Sequence, residues 1–63
     1  MNNSYELYLE AVSFQKDRGF NNPKMALLLN INEGTWRMWK KRQSIPEDKI
    51  SKISEILQAA YAT

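Results

Sequence analysis

The sequence predicts a small all-α domain of four helices. Its apolar residues recur at helical spacing, and helix caps and helix breakers separate the apolar segments. No segment alternates apolar and polar residues in the manner typical of a β-strand. At 63 residues, the chain is expected to form a single domain over residues 1–63. Five helices are the alternative, if the last helix breaks near Gln58.

The first helix is expected from about Ser4 to Arg18. Asn3, which has capping-box spacing to a glutamate, and Ser4 are equally good caps for its start. Gly19 is expected to end it, with Phe20 packing back on the last turn. Its apolar stripe is predicted to consist of Tyr5, Tyr8, Leu9 and Val12.

Two short helices joined by three residues follow. The first is predicted over Pro23–Leu29, with Asn22 as its N-cap and the proline at the first helical position. Asn30 tolerates the left-handed conformation that a tight turn requires. Asn32 is expected to cap the second of these helices, Glu33–Arg42.

This third helix of the chain has two different faces. Trp36 and Trp39 fall on one side, where they are more readily explained as core than as a ligand platform. The opposite side is mostly cationic and consists of Glu33, Gly34, Arg37, Met38, Lys40 and Lys41.

The fourth helix is expected to begin near Pro46 and to continue to the carboxyl end. Its apolar stripe ends at Tyr61, which is interpreted either as a dimer contact or as a frayed end. The predicted core of the domain consists of Ala26, Leu29, Ile31, Trp36, Trp39, Ile50, Ile53 and Leu57.

Composition excludes several classes of function. The chain has no cysteine and no histidine, which removes disulfides, zinc sites of the usual ligands and histidine-based catalysis. It also lacks a phosphate-cradling glycine loop, so we expect no enzyme, no cofactor and no small-molecule ligand. No apolar run is long enough for a membrane span and no signal peptide is evident, so a cytoplasmic protein is expected.

The distribution of charge favours a polyanionic partner. The net charge is only +2, but four of the nine basic residues fall within residues 37–42. Two short helices with a three-residue turn, the second exposing a basic face, are typical of the helix-turn-helix motif, here at about residues 22–42.

The residues of this motif resemble a known family. The stretch MALLLNINEGTWRMW (residues 25–39) resembles the Cro and repressor-like (lambda-repressor-like) helix-turn-helix family. That family typically reads Leu-Ala, two variable residues, Leu-Gly-Val-Ser, then Thr-Val/Ile and Trp, a Gly, and a Pro that opens the next helix. The resemblance covers residues 22–57, and residues 8–11 (YLEA) are similar to small phage-related DNA-binding proteins. The positions that match in spacing are Ala26, Ile31, Thr35, Trp39 and Pro46.

Three positions depart from the family pattern. Asn30 replaces the glycine of the turn, and Arg42 stands where a glycine usually follows the recognition helix. Trp36 stands where valine or isoleucine is usual, so either the core rearranges around the indole or the ring protrudes.

The resemblance implies an all-α lambda-repressor-like domain that binds double-stranded DNA through helix 33–42. The positions that it places toward base edges are Glu33, Gly34, Arg37 and Met38. The positions expected at phosphates are Asn22, Lys24, Thr35, Lys40, Lys41, Arg42, Gln43 and Ser44. Glu33 is equally well explained as a charge that stabilises the start of its helix.

The expected function is a sequence-specific transcriptional regulator of the Cro or repressor type, in a bacterial cell or a phage-infected host. Its partner would be a pseudo-palindromic operator, bound by a homodimer with recognition helices about 34 Å apart. Two alternatives share the fold: a DNA-binding accessory or excision factor, and a protein-interaction module that has lost DNA binding.

Overall fold

The computed structural model describes residues 4–62, which form four α-helices and one short 3₁₀ helix. No β-strand occurs among the described residues, so the predicted all-α class is confirmed. The last α-helix passes through Gln58 without a break, as the four-helix prediction requires. No helix within residues 4–62 has the length and apolar content needed to cross a membrane. The helices are α1 (Ser4–Arg18), α2 (Asn22–Leu29), α3 (Glu33–Arg42) and α4 (Ile50–Tyr61), with the 3₁₀ helix at Glu47–Lys49.

Helix α1 has the predicted bounds but buries a different face. Tyr5 and Leu9 of the predicted stripe are exposed, and Val12 is only half-buried. The chain contains two overlapping apolar stripes in this segment, and α1 buries the one that includes Ala11, which is 0% exposed. The face that α1 buries consists of Leu7, Tyr8, Ala11, Phe14 and Gln15.

The end of α1 follows the prediction. Gly19 adopts a left-handed conformation, with φ of 68°. Its N–H donates to the carbonyl of Lys16, and the N–H of Phe20 donates to that of Gln15 at 3.0 Å. This is the Schellman pattern, and the Phe20 ring closes it by packing edge-on against Phe14, with centroids 6.0 Å apart.

The start of α2 differs from the prediction by one residue. Asn21, not Asn22, is the N-cap, and its Oδ1 accepts from the N–H of Lys24 at 2.9 Å. The two asparagines are equally good caps in isolation. Asn22 lies inside the helix because its side chain instead bonds Gln15 of α1, at 3.0 Å.

The turn between α2 and α3 follows the prediction. Asn30 is left-handed, with φ of 62° and ψ of 41°. Its own N–H and that of Ile31 donate to the carbonyls of Leu27 and Ala26, which satisfies the last turn of α2. Asn32 then caps α3 by accepting from the N–H of Thr35 at 2.8 Å.

The connection to α4 differs from the expected one. Pro46 does not open the α-helix, because residues 47–49 form the 3₁₀ helix and α4 begins only at Ile50. Ile45 explains the tighter path: its side chain is buried, and its carbonyl accepts a hydrogen bond from the hydroxyl of Ser4 at 2.8 Å. This anchor holds the loop against the start of α1 before α4 turns back across the core.

The predicted core is largely confirmed. Six of its eight residues are buried, and Ile31 and Ile50 are half-buried against the same cluster. Trp36, the bulky departure from the family pattern, is 0% exposed and therefore does not protrude. Apolar residues of the observed core outside the predicted set are Leu7, Tyr8, Ala11, Phe14, Met25 and Ile45.

Candidate nucleic-acid interface

The orientation of α3 is fixed by its two tryptophans. Trp36 and Trp39 are both buried, and their rings meet edge to face with centroids 6.4 Å apart. Successive residues of a helix are about 100° apart, so the opposite side of α3 must face solvent. The exposed residues on that side are Gly34, Arg37, Met38, Lys41 and Arg42, which we call the outward face of α3.

An ion pair lies along one edge of the outward face. The guanidinium of Arg37 bonds the carboxylate of Glu33 at 2.5 Å, one helical turn earlier. The Arg37 side chain remains 66% exposed, so the pair orders the guanidinium without covering it. Both residues were predicted to face bases, and the structure places Glu33 at the half-buried margin and Arg37 well outside.

A buried polar network holds the other edge of α3. The indole Nε1 of Trp36 donates to Oε1 of Gln15 at 3.1 Å. The amide Nε2 of Gln15 donates in turn to the carbonyl of Phe20 at 3.1 Å and to Oδ1 of Asn22 at 3.0 Å. Lys40 completes the network by donating to the same Asn22 oxygen at 3.0 Å. Polar side chains therefore join three segments: helix α1, the first turn of α2, and helix α3.

This network changes the interpretation of two residues predicted at phosphates. Asn22 accepts two hydrogen bonds through Oδ1, which engages that oxygen within the domain and leaves the NH₂ group as the donor end of the side chain. The Lys40 ammonium points toward α1 and α2, 3.5 Å from Oε1 of Gln15, rather than along the outward face. Its backbone carbonyl also accepts from the Tyr8 hydroxyl, at 3.4 Å.

The structure separates the other predicted phosphate contacts into two groups. Lys41 and Arg42 are exposed in the last turn of α3, and Gln43 follows them as an exposed C-cap. Thr35 and Ser44 are half-buried. Lys24 is exposed in the first turn of α2, with its ammonium 5.2 Å from the centre of the Phe20 ring.

The left-handed residue after α3 is Gln43. It lies one position beyond Arg42, where the resembling family usually has a glycine. Its φ is 60°, and its N–H donates to the carbonyl of Trp39 at 2.7 Å. Arg42 is consequently the last residue of α3, so its side chain projects from the helix and not from the following loop.

Sequence reasoning missed Gln15 as a residue of the site. It is a buried polar side chain among apolar neighbours. Its amide oxygen accepts from Trp36 and Lys40 of α3, and its amide nitrogen donates to Phe20 and Asn22 before and at the start of α2. The available signal was its spacing, four residues after Ala11 and seven after Tyr8, which places a glutamine on the buried stripe of α1.

A second exposed feature adjoins the motif. Leu27 of α2 is 79% exposed, the largest exposure among the large apolar side chains of the described region. It borders an open groove of about 520 Å³. The other residues that line this groove are Asn30, Ile31, Asn32, Thr35 and Lys49.

Comparison with known proteins adds no relative. No family model, no curated protein and no solved structure matches the chain.

Proposed function

We propose that this protein is a sequence-specific regulator of transcription that binds double-stranded DNA with α3 in the major groove. The observation that carries the proposal is the outward face of α3. Two buried tryptophans anchor the helix from behind, while Arg37, Lys41 and Arg42 point away from the domain. A cationic helix held in this way can be presented to a polyanion as a rigid unit.

Dimensions and order of elements support the major groove as the binding site. An α-helix with its side chains is about 10–12 Å across, and the major groove of B-DNA is about 12 Å wide. Helix α2, the left-handed Asn30 turn and α3 follow one another as in a helix-turn-helix motif. We therefore assign the domain to the lambda-repressor-like fold as part of this proposal.

The side chains have distinct proposed roles. Arg37 would donate to the O6 and N7 of a guanine, a contact worth about 1–3 kcal/mol of discrimination. Lys41 and Arg42 would bind phosphates, which provides affinity without sequence information. Glu33 would act mainly through Arg37, because its carboxylate already holds the guanidinium.

Two further groups at the start of α2 fit phosphate contact. The NH₂ of Asn22 would donate to a phosphate, and the bonds from Gln15 and Lys40 to Oδ1 hold the side-chain amide in place. Lys24 adds an exposed ammonium one turn into the same helix. Lys40 is assigned a positioning role in this scheme, because its ammonium bonds side chains of the domain itself.

We further propose that two copies bind a pseudo-palindromic operator. An open groove of about 370 Å³ between α1, α2 and α4 offers apolar side chains, Leu28 and Ile56 among them, to a second copy. Tyr61, whose ring packs on Phe14 of the same chain with centroids 5.3 Å apart, remains half exposed at the end of α4 and could extend this surface.

A protein-interaction module is the second candidate, and Leu27 is the observation that favours it. The Leu27 side chain is 79% exposed beside an open groove, where a partner protein would bury it. An accessory DNA-binding factor with weaker sequence preference would use the same outward face as the proposed regulator.

The proposal is tested by selecting bound duplexes from a random-sequence pool and measuring their affinity at two salt concentrations. The expected result is an inverted repeat whose affinity falls steeply as salt rises. Salt-sensitive binding without an enriched sequence would favour the accessory factor. Absence of binding at low salt would refute the DNA proposal and favour the protein-interaction module.

A matched pair of charge reversals locates the surface. Lys41→Glu is expected to weaken binding on the order of tenfold and to reduce the salt slope by about 1, as loss of one phosphate contact does. Lys52→Glu, at an exposed position of α4, changes the net charge equally and should have a much smaller effect. Lys41 is preferable to Lys40 for this test, because a carboxylate at residue 40 would repel the Gln15 and Asn22 oxygens.

A further inference from the structure

Gly34 is a glycine that the fold itself does not require. It lies in the first turn of α3 and is exposed, and its backbone is not left-handed, in contrast to Gly19. A Cβ at this position would meet only Oδ1 of Asn32, at 3.5 Å, which is an ordinary van der Waals distance. Glycine is less favourable than alanine in a helix, so its presence here costs stability. Nothing inside the domain accounts for the missing side chain.

On the solvent-facing side of α3, Gly34 lies between longer side chains. Arg37 and Met38 follow it by three and four residues, and helical side chains lean toward the amino end of their helix. The ion pair with Glu33 draws the Arg37 guanidinium to one side. Met38, 49% exposed, borders the other side. Gly34 therefore lies between a cationic and an apolar side chain, and we call this open gap on the surface of α3 the recess.

We propose that this recess receives the C5-methyl group of a thymine, next to a base pair whose guanine is bound by Arg37. The inference rests on the proposed DNA binding and deepens it by naming one base. The thymine methyl is an apolar projection on the major-groove edge of the base pairs, and the polarisable thioether of Met38 suits it. A bare glycine backbone lets the methyl approach the helix closely.

The experiment is a cycle that adds a methyl group to the protein and removes one from the DNA. The wild type and Gly34→Ala are measured on the selected duplex, with each thymine replaced in turn by uracil. At one thymine, uracil should weaken the wild type about fourfold, the factor that burial of one methyl group represents. Gly34→Ala should bind the thymine duplex about tenfold more weakly, as overpacking of a close contact predicts.

Compensation is the decisive result. At that same position, Gly34→Ala should bind the uracil duplex better than the thymine duplex, the reverse of the wild-type preference. Its melting temperature should be equal to or higher than that of the wild type. Ser13→Ala, a small change at an exposed position of α1, is the control and should leave both duplex affinities unchanged.

The outcomes separate the two proposals. If the wild type binds its selected duplex but Gly34→Ala binds equally well, or if no uracil substitution reverses preference, the recess is wrong and DNA binding stands. If the wild type binds no duplex, both proposals fail together.

Discussion

The indole Nε1 of Trp36 in α3 donates a buried hydrogen bond to the side-chain Oε1 of Gln15 in α1, at 3.1 Å. This bond explains how the domain accommodates tryptophan where the resembling family has valine or isoleucine. The indole is enclosed and its one polar atom has a partner, so no buried donor is left unsatisfied there. The same glutamine bonds Asn22, so the position of α3 and the start of α2 depend on one side chain.

Gln15→Met should lower the free energy of unfolding by about 1–3 kcal/mol, because it leaves the Trp36 donor buried without a partner. Methionine keeps the length of the side chain and removes its polar atoms. Urea denaturation followed by circular dichroism measures the change. In a Trp36→Phe background, which has no indole donor, the same substitution should cost less. An equal cost in both backgrounds would contradict the assigned role of the bond.

The two N-caps provide a second prediction. Asn21→Ala and Asn32→Ala should each lower the free energy of unfolding by about 1 kcal/mol, because each removes the acceptor of a helix-terminal N–H. Aspartate at either position should retain most of the stability, since its carboxylate accepts the same bond. Chemical denaturation of the four variants checks this, and an Asn21→Ala protein as stable as the wild type would place the cap elsewhere.

Substitutions at the two left-handed residues that follow α3 and α1 are expected to change the stability of the protein in opposite directions. Gln43→Gly should stabilise the protein by about 0.5–1 kcal/mol, because glycine adopts positive φ without the strain of a side chain. Gly19→Ala should destabilise it by about 1 kcal/mol through the backbone alone, since an added Cβ meets no atom within 4 Å. Thermal unfolding of the two variants is the measurement, and shifts of the same sign would be inconsistent with the structure.

Glu33→Gln should weaken discrimination between the selected duplex and random DNA while strengthening binding to random DNA. The substitution removes a negative charge from the margin of the outward face and releases the Arg37 guanidinium. Stability should change by only about 0.5 kcal/mol, as for an exposed pair one turn apart. Glu47→Gln is the charge-matched control. A ratio of specific to random affinity equal to that of the wild type would argue against Glu33 acting through Arg37.

The stability of the protein is expected to depend on pH in the alkaline range, through the phenol of Tyr61. Desolvation of the phenol, followed by the charges of Glu10 and Asp17, raises its pKa above the ordinary value of 10.0, and Arg18 opposes them only partly. A raised pKa favours the protonated phenol in the folded protein, so this stabilisation is complete below pH 10 and is lost as pH rises through the folded pKa. The tyrosinate absorbance lost in Tyr61→Phe should titrate above pH 10; titration below that value would contradict the packing of the ring.

Local signals in the sequence were sufficient for most of the helix boundaries. Gly19, Asn30 and Asn32 each have a side chain or a conformational preference that acts within a few residues, so their roles are readable without tertiary structure. The choice between Asn21 and Asn22 as a cap was not local. It depends on a bond to Gln15 in another helix, and single-sequence patterns contain no information on such a contact.

The candidate interface was predictable in its outline and less so in its detail. The tryptophan spacing determined which side of α3 is buried, and with it the exposure of Arg37 and Lys41. Lys40 was grouped with the other cations of residues 37–42, although at 100° per residue it lies closer to Trp36 than to Arg37 or Lys41. Its inward ammonium results from two acceptors, Gln15 and Asn22, that only the packed structure brings within reach.

Amide chemical-shift mapping shows whether the outward face of α3 binds DNA. The selected duplex is added to isotope-labelled protein at moderate salt, and the shifts of all backbone amides are followed. The largest changes are expected in residues 33–43 and at the start of α2, with smaller changes in the groove proposed to receive a second copy. Changes centred on Leu27, Leu28 and α4, with α3 unaffected, would contradict DNA binding by this face.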